Sequence, residues 1–276
     1  MEIENTIENL LPDGIHEGLS FSDYRKIAAA NASSLKSFKK SALHYKHSQE
    51  NPWEGSGSTV IGTAAHTLIL EPDNFKKEYF LLPPLDLRKT ADKAAKAELI
   101  IKHIGKAGLR PEEYEAAFAI AKSVKEHRAA SHYLADTKRE STCIWSTSYG
   151  RCKARIDAWK SGTLVDLKTT KSAHLPYFAK DIISLQYFVQ LGFYKWGLES
   201  LGQKIEKVVI IAVENEAPYG VRIFHLTDSY LELGFSKALS YLKQLSECKR
   251  NNFFPGYPET EVVLDAPDYL TNEMED

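Results

Sequence analysis

One stretch of the chain, residues 153–169, constrains the fold most, because polar and apolar residues alternate along it twice with a turn between. A period of two is typical of β-strands, whose successive side chains point to opposite faces. The polar positions share one face of the resulting hairpin: Lys153, Arg155, Asp157, Asp166 and Lys168. The apolar positions share the face that we expect to meet the core: Ala154, Ile156, Ala158, Val165 and Leu167. Ser161 and Gly162 predict the turn.

The polar face of this hairpin carries two carboxylates, Asp157 and Asp166, which repel each other unless a cation neutralises them. Hard oxygen ligands suit Mg²⁺ or Mn²⁺. Lys168 follows two residues later, where it could orient or deprotonate an attacking water or offset charge on a phosphate in the transition state. The hairpin therefore predicts, in outline, a site for metal-assisted phosphodiester hydrolysis.

Composition limits the partners and the compartment. The 276 residues carry 35 Lys and Arg against 37 Asp and Glu, a net charge of −2, which excludes a uniformly basic nucleic-acid coat. A DNA-binding surface must therefore be local. The three cysteines are too few and too scattered for a disulfide framework and suit a reduced, cytoplasmic protein. We find no signal peptide and no apolar run of membrane-spanning length, and we expect no membrane partner.

The periodicity of the sequence predicts one α/β domain. Residues 1–20 are interpreted as a leader, residues 21–260 as a single domain and residues 261–276 as an acidic tail. Within the domain we expect a helical elaboration over 21–135 and a three-strand meander followed by a long helix, Ile183–Ser200, over 140–200. Two strands and a last helix follow over 205–250. This order favours an α/β domain with a helical N-terminal elaboration.

Other residues could extend the site. His66 lies on a predicted helix four residues after Gly62; a lone histidine of this kind is more often a packed side chain than a ligand, but beside two carboxylates it becomes a candidate metal ligand. Glu140 and Glu71 could each add a carboxylate, although surface glutamates are common.

Gln190 and Tyr194 lie four residues apart on one face of the long predicted helix. One interpretation is a satisfied polar pair beside an aromatic core. The other is a pair that holds the site lysine, a water or a substrate phosphate. The spacing leaves both open.

Several motifs occur in a fixed order along the chain: Gly62-Thr-Ala-Ala-His66, Arg155-Ile-Asp157, Asp166-Leu-Lys168-Thr-Thr170 and Gln190-x-x-x-Tyr194. With these the sequence resembles the RecE (exonuclease VIII) family of phage-type recombination exonucleases, which belong to the PD-(D/E)XK nuclease superfamily. The resemblance extends over residues 20 to 260 or so and rests on the ordered set rather than on any one motif.

The resemblance implies a PD-(D/E)XK nuclease core, a central mixed β-sheet flanked by helices, and a role for each matching residue. Asp157 and Asp166 would ligate the divalent metal, and His66 would complete its shell. Lys168 would position the attacking water, while Gln190 and Tyr194 would support the lysine and the scissile phosphate. Candidate DNA contacts are Arg155, Arg88 and Lys89.

The resemblance also implies an activity and partners. Such enzymes degrade one strand of linear double-stranded DNA from its 5′ end and leave a 3′ overhang for a single-strand annealing protein. A ring-shaped homo-oligomer, and a phage or prophage origin in a bacterial host cell, would accompany that activity.

One departure and two alternatives accompany this resemblance. Some relatives in the superfamily carry an iron–sulfur cluster on four cysteines, whereas this chain has three cysteines without paired spacing, so we expect no cluster. An endonuclease on the same fold is an alternative, and cleavage of closed circular DNA would distinguish it. A non-catalytic DNA-end-binding clamp is another, which the complete set of Asp157, Asp166 and Lys168 disfavours.

Overall fold

A six-stranded mixed β-sheet forms the centre of the structure, a computed structural model that describes residues 11–51, 57–86 and 88–265. Its strands are β1 (Gly14–His16), β4 (Lys138–Thr147), β5 (Gly150–Lys160), β6 (Gly162–Thr170), β7 (Ile205–Glu214) and β8 (Val221–Leu226). They lie side by side in that order, and every neighbouring pair is antiparallel except β6 and β7, which are parallel. Two further strands, β2 (Tyr79–Leu81) and β3 (Ala107–Leu109), form a small parallel sheet.

Helices cover the sheet and precede it in the chain. The helices are α1 (Phe21–Lys26), α2 (Ala32–Leu35), α3 (Ala42–Glu50), α4 (Gly57–Leu70), α5 (Pro72–Glu78), α6 (Thr90–Lys102), α7 (Pro111–Glu126), α8 (Arg128–Leu134), α9 (Leu175–Ser184), α10 (Tyr187–Ser200) and α11 (Asp228–Asn251). A 3₁₀ turn, Lys36–Lys39, follows α2 directly. None of the helices in the described residues is long and apolar enough to cross a membrane.

Both faces of the sheet are buried, and β7 shows this most clearly. Its residues Val208 and Ile210 belong to one apolar core, and the alternating residues Ile211 and Val213 belong to another. A strand buried on both faces is expected to be an almost continuous apolar run, and the sequence of β7 has that character. The first core packs under α10 and α11, and the second packs under α4 and α7.

Two glycines allow α10 and α11 to approach closely. A Cβ at Gly234 of α11 would overlap the carbonyl oxygen of Phe188 on α10, and a Cβ at Gly192 would lie 2.5 Å from the backbone nitrogen of Phe235. These contacts are with backbone atoms, which cannot rotate away. The packing therefore fixes α10, the helix that carries Gln190 and Tyr194, over the sheet.

The predicted α/β class, the mixed sheet and the three-strand meander are confirmed. The single long helix Ile183–Ser200 is wrong: α9 and α10 are separate, and Gln186 between them has a φ of 54°, a left-handed conformation that a continuous helix excludes. α4 ends at Leu70, before Pro72, and Pro72 begins α5, because a proline is tolerated in the first turn.

The predicted leader, residues 1–20, contains a strand. Residues 14–16 form β1 and pair with β4, so this part of the segment belongs to the main sheet. Residues 1–10 of the leader and 266–276 of the predicted acidic tail lie outside the described residues. The division into one domain over residues 21–260 stays a prediction.

Candidate active site

Asp157 lies where β5 and β6 stop pairing. The last pair of the ladder joins Ala158 to Val165, and beyond it Oδ2 of Asp157 accepts a hydrogen bond from the backbone N–H of Leu167 at 2.7 Å. The carboxylate therefore accepts a hydrogen bond that a backbone carbonyl oxygen would accept in a regular sheet. This bond fixes the orientation of Asp157 at the point where the two strands separate.

Three elements bring potential metal ligands together. His66 from α4, Glu140 from β4 and Asp157 from β5 each offer one ligand atom, and these atoms all lie within 4.8 Å of one another. Glu140 lies between two residues that pair with the flanks of Asp157, so the two carboxylates are neighbours across the strands. Glu140 also has a φ of 49°, which is uncommon for a residue other than glycine.

Electrostatics at this cluster favour a cation. Burial, and then the charge of Asp157, raise the pKa of Glu140 from 4.5 to about 7, although the guanidinium of Arg155 opposes the shift. Arg155 hydrogen-bonds to Glu140, and it also donates to Glu71 at 3.3 Å and to the carbonyl oxygen of Leu19 at 2.7 Å. One guanidinium does not fully offset the repulsion between two adjacent carboxylates. A divalent cation among these oxygens would offset this repulsion.

Asp166 and Lys168 form an ion pair beside this cluster, on β6. Nζ of Lys168 lies 2.6 Å from Oδ2 of Asp166, and the Asp166 side chain is only 1% exposed, against 16% for Lys168. Burial, reinforced by the charge of Asp157, raises the pKa of Asp166, and the charge of Lys168 opposes the shift. Burial lowers the pKa of Lys168, but the charges of Asp166 and Asp157 outweigh it, so the pKa of this lysine lies above its usual value. Lys168 is therefore an ammonium group at neutral pH.

Gln190 and Tyr194 complete the arrangement from α10. Nε2 of Gln190 donates to Oδ1 of Asp166 at 3.2 Å and to the hydroxyl of Tyr194 at 3.1 Å. Of the two interpretations of this pair, the structure supports contact with the site. The amide reaches the carboxylate that pairs with Lys168, rather than Lys168 itself.

The residues present fit a hard divalent cation, with a ligand set that differs from the predicted one. Carboxylate oxygens with one imidazole suit Mg²⁺ or Mn²⁺. The close cluster contains Glu140 rather than Asp166, whose oxygens face Gln190 and Lys168. Oδ2 of Asp166 is nevertheless buried without a hydrogen bond of good geometry, so it keeps a lone pair that a cation could use. The ligand role of Asp166 stays a prediction.

His66 reaches the site because α4 lies directly against β6. A Cβ at Gly62 would be 2.6 Å from Oγ1 of Thr169, so only glycine permits this approach without a shift of the neighbour. Gly62 and His66 are one helical turn apart and share a face of α4. The absence of a side chain at Gly62 therefore allows α4, with His66, to approach β6.

A groove of about 1630 Å³ opens onto this cluster. His66, Glu140 and Asp157 line it, as do the cationic side chains of Arg25, Lys171 and Lys180. The carboxylates of Glu71, Glu78 and Asp181 line it as well, so the groove combines potential metal ligands with cationic side chains without a marked excess of positive charge.

The three residues proposed for DNA contact are not alike in the structure. Arg155 lines the groove, but its side chain is 11% exposed and pairs with the carboxylates of Glu71 and Glu140. Its guanidinium therefore stabilises the site rather than facing a DNA phosphate. Arg88 is 92% exposed and pairs with Asp86, and Lys89 is also exposed; neither lines the groove. Their roles in DNA binding stay predictions.

Sequence reasoning missed one residue of the site. Lys36, for which the sequence predicts no role, donates from Nζ to Oε1 of Gln190 at 2.9 Å. Burial, and then the charge of Lys168, lower its pKa to about 7. No local pattern distinguishes Lys36 from the exposed Lys39 and Lys40, because its position depends on a contact with a distant helix.

Comparison with known families agrees with this architecture. Residues 31–265 match the family described as PDDEXK-like domain of unknown function (DUF3799), and the chain belongs to that family. The nuclease superfamily predicted from the motifs is therefore confirmed. No curated protein sequence matches the chain.

Solved structures with a similar fold include a protein from Eubacterium rectale that is provisionally named an exonuclease. It aligns with 94% of this chain and 98% of its own at 15% identity, with a TM-score of 0.60, and this likeness concerns the fold. A phage-related exonuclease from Haemophilus somnus aligns at 12% identity over 79% of this chain and 95% of its own, with a TM-score of 0.33. An alkaline exonuclease from Laribacter hongkongensis aligns at 12% identity over 68% of this chain and 91% of its own, with a TM-score of 0.28.

Proposed function

We propose that this protein is a divalent-metal-dependent exodeoxyribonuclease that degrades linear double-stranded DNA from the 5′ end and leaves 3′ single-stranded overhangs. The observation that carries the proposal is the meeting of His66, Glu140 and Asp157 within 4.8 Å, beside the Asp166–Lys168 pair. Membership of a PDDEXK-like family supports the nuclease chemistry. The polarity and the preference for duplex ends rest on the resemblance of the ordered motifs to RecE-type exonucleases.

His66, Asp157 and Glu140, with Asp166 beside them, would hold Mg²⁺ or Mn²⁺, which would supply Lewis acidity and lower the pKa of a bound water. The protein's own groups then set the geometry. Lys168, as an ammonium, donates to the attacking water or to a phosphate oxygen and stabilises the charge that develops there. Gln190 holds Asp166 in place, and the hydroxyl of Tyr194, which lines the groove, can reach the substrate phosphate.

The biological setting belongs to the same proposal. An enzyme that leaves 3′ overhangs supplies the substrate of a single-strand annealing protein in homologous recombination, here in the cytoplasm of a bacterial cell that carries a phage or prophage. A homo-oligomeric ring around DNA would keep a chain with a net charge of −2 on its substrate, because enclosure needs less electrostatic attraction than open binding.

The test compares linear and closed circular duplex of the same sequence, with and without Mg²⁺. The linear substrate carries a different label at each of its four strand ends. We expect loss of the 5′ labels first, dependence on Mg²⁺ and no change in the closed circle. Cleavage of the circle would instead identify an endonuclease. Binding of the linear DNA without hydrolysis would identify an end-binding clamp.

A further inference from the structure

Lys36 is held rigidly at the edge of the proposed site. It begins the 3₁₀ turn that follows α2, and the neighbouring side chains Leu35 and Phe38 are buried in the core that also contains α10. The backbone of this segment is therefore anchored on both sides of Lys36. Its side chain reaches the site from an element that carries none of the other site residues.

The contacts of Lys36 link it to two residues of α10. Nζ donates to Oε1 of Gln190 at 2.9 Å, and it lies 5.5 Å from the ring centroid of Tyr187. Nζ of Lys168 lies 5.2 Å from the same ring, so two lysines share one aromatic ring. No carboxylate in the described part of the chain pairs with Lys36.

We propose that Lys36 is a positioning residue for hydrolysis, because the hydrogen bond from its Nζ holds the amide of Gln190 with the NH₂ group towards Asp166 and Tyr194. This inference rests on the proposed nuclease function and adds a residue to it.

The physical reason is the polarity of the amide. Gln190 can support the Asp166 carboxylate only by donating, and rotation of the amide by half a turn would place Oε1 against Oδ1 of Asp166, two acceptors in contact. A donor on Oε1 makes that rotated state costly, because the rotated amide would turn its NH₂ group towards Nζ and leave the hydrogen bond unmade. Loss of the donor would leave Gln190 free to rotate, and Asp166 would lose its support.

The experiment measures steady-state hydrolysis of linear duplex by the full-length protein and three variants. Lys36→Met keeps an unbranched side chain of similar length but removes the donor. We expect kcat to fall about 10- to 100-fold with little change in KM, as for other residues that orient a catalytic carboxylate from behind. Lys36→Arg retains a cationic donor and should recover part of the loss. Lys40→Met, an exposed lysine four residues on, is the matched control and should keep the kcat of the unmodified protein.

A double-mutant cycle tests whether Lys36 acts through Gln190. In a Gln190→Leu background the amide is absent, so Lys36→Met should cause little further loss of kcat. Additive losses in the double variant would mean that Lys36 acts independently of Gln190, which would overturn the proposal.

A second readout does not depend on activity. In protein labelled selectively with ¹⁵N at glutamine side chains, the Gln190 NH₂ resonances should shift in Lys36→Met and stay in place in Lys40→Met. Unchanged Gln190 resonances in Lys36→Met would overturn the inference even if the protein proved not to hydrolyse DNA. Failure of the unmodified protein to hydrolyse linear duplex, with the expected resonance shift present, would count against the nuclease function and leave the contact established.

Discussion

Nζ of Lys168 lies 2.6 Å from Oδ2 of Asp166, the residue two positions earlier on β6. Because the two side chains share a face of one strand, the pair forms locally and needs no distant element to assemble it. The Lys168 ammonium contacts a carboxylate of the site directly, and its removal should therefore affect chemistry more than binding.

We expect Lys168→Ala to lower kcat about 10²- to 10³-fold, the cost of removing one donor from a developing anion. Affinity for linear duplex, measured with Ca²⁺ in place of Mg²⁺, should change little. The variant should still fold, because the buried carboxyl group of Asp166 takes up a proton when the lysine that neutralises it is removed. Lys207→Ala, an exposed lysine on β7, is the control. Undiminished hydrolysis by Lys168→Ala would refute the role of Lys168.

Removal of a ligand charge should weaken metal binding without unfolding the protein. In Asp157→Asn the amide oxygen can still accept from the N–H of Leu167, while the charge beside Glu140 is lost. A metal at one hundred times its Kd stabilises the unmodified protein by about 2.7 kcal/mol. We expect most of this stabilisation, read as the rise in Tm with Mn²⁺, to disappear in Asp157→Asn.

The control for this measurement is Asp265→Asn, which removes the same charge at an exposed position. Its rise in Tm with Mn²⁺ should equal that of the unmodified protein. An equal rise in Asp157→Asn would place the metal elsewhere.

The stability of the metal-free protein should fall as the pH rises from about 4.5 to about 7. Burial and Asp157 raise the pKa of Glu140 from 4.5 to about 7, so between these values the folded state holds a proton that the unfolded state has lost. The folded state then binds more protons, and the free energy of unfolding decreases with increasing pH. A bound cation requires ionised Glu140, so the stabilisation that the cation provides should show the opposite trend. It should increase as the pH rises from about 4.5 to about 7 and level off above that range.

Thermal unfolding with and without Mg²⁺, from about pH 5 to about pH 8, checks both trends. Glu140→Gln removes one titrating group and should reduce the pH dependence in this window, although Asp166 and Lys36 still titrate with shifted pKa values. A Mg²⁺-induced change in Tm that is the same at both ends of the range would contradict the assignment of Glu140 to the metal cluster.

Close packing of α10 on α11 should be needed for both stability and activity. In Gly234→Ala the added methyl group meets the backbone of Phe188, so the helices must separate. We expect a loss of about 1–3 kcal/mol in the free energy of unfolding, typical of overpacking. Displacement of α10 also moves Gln190, and kcat should fall at temperatures where the variant remains folded. In Gly256→Ala the new methyl group lies at ordinary contact distance from Leu43, so this variant should lower neither the free energy of unfolding nor kcat.

Local patterns predicted much of the fold. The alternation in β5 and β6 is a property of the extended backbone, so the hairpin and the shared face of Asp166 and Lys168 follow from spacing alone. The break between α9 and α10 was not predictable in this way. Gln186 is not a residue type that marks a left-handed conformation, and the flanking helices have continuous apolar periodicity.

The sequence by itself therefore determined the sheet's central hairpin, the order of the chemical groups along it and the superfamily that this order indicates. Tertiary structure alone decided that Glu140 joins His66 and Asp157, and that Lys36 reaches Gln190 across 154 positions of the chain. The physical reason is that spacing along a strand is set by backbone geometry within a few residues. Contact between remote elements depends instead on how whole helices pack against the sheet.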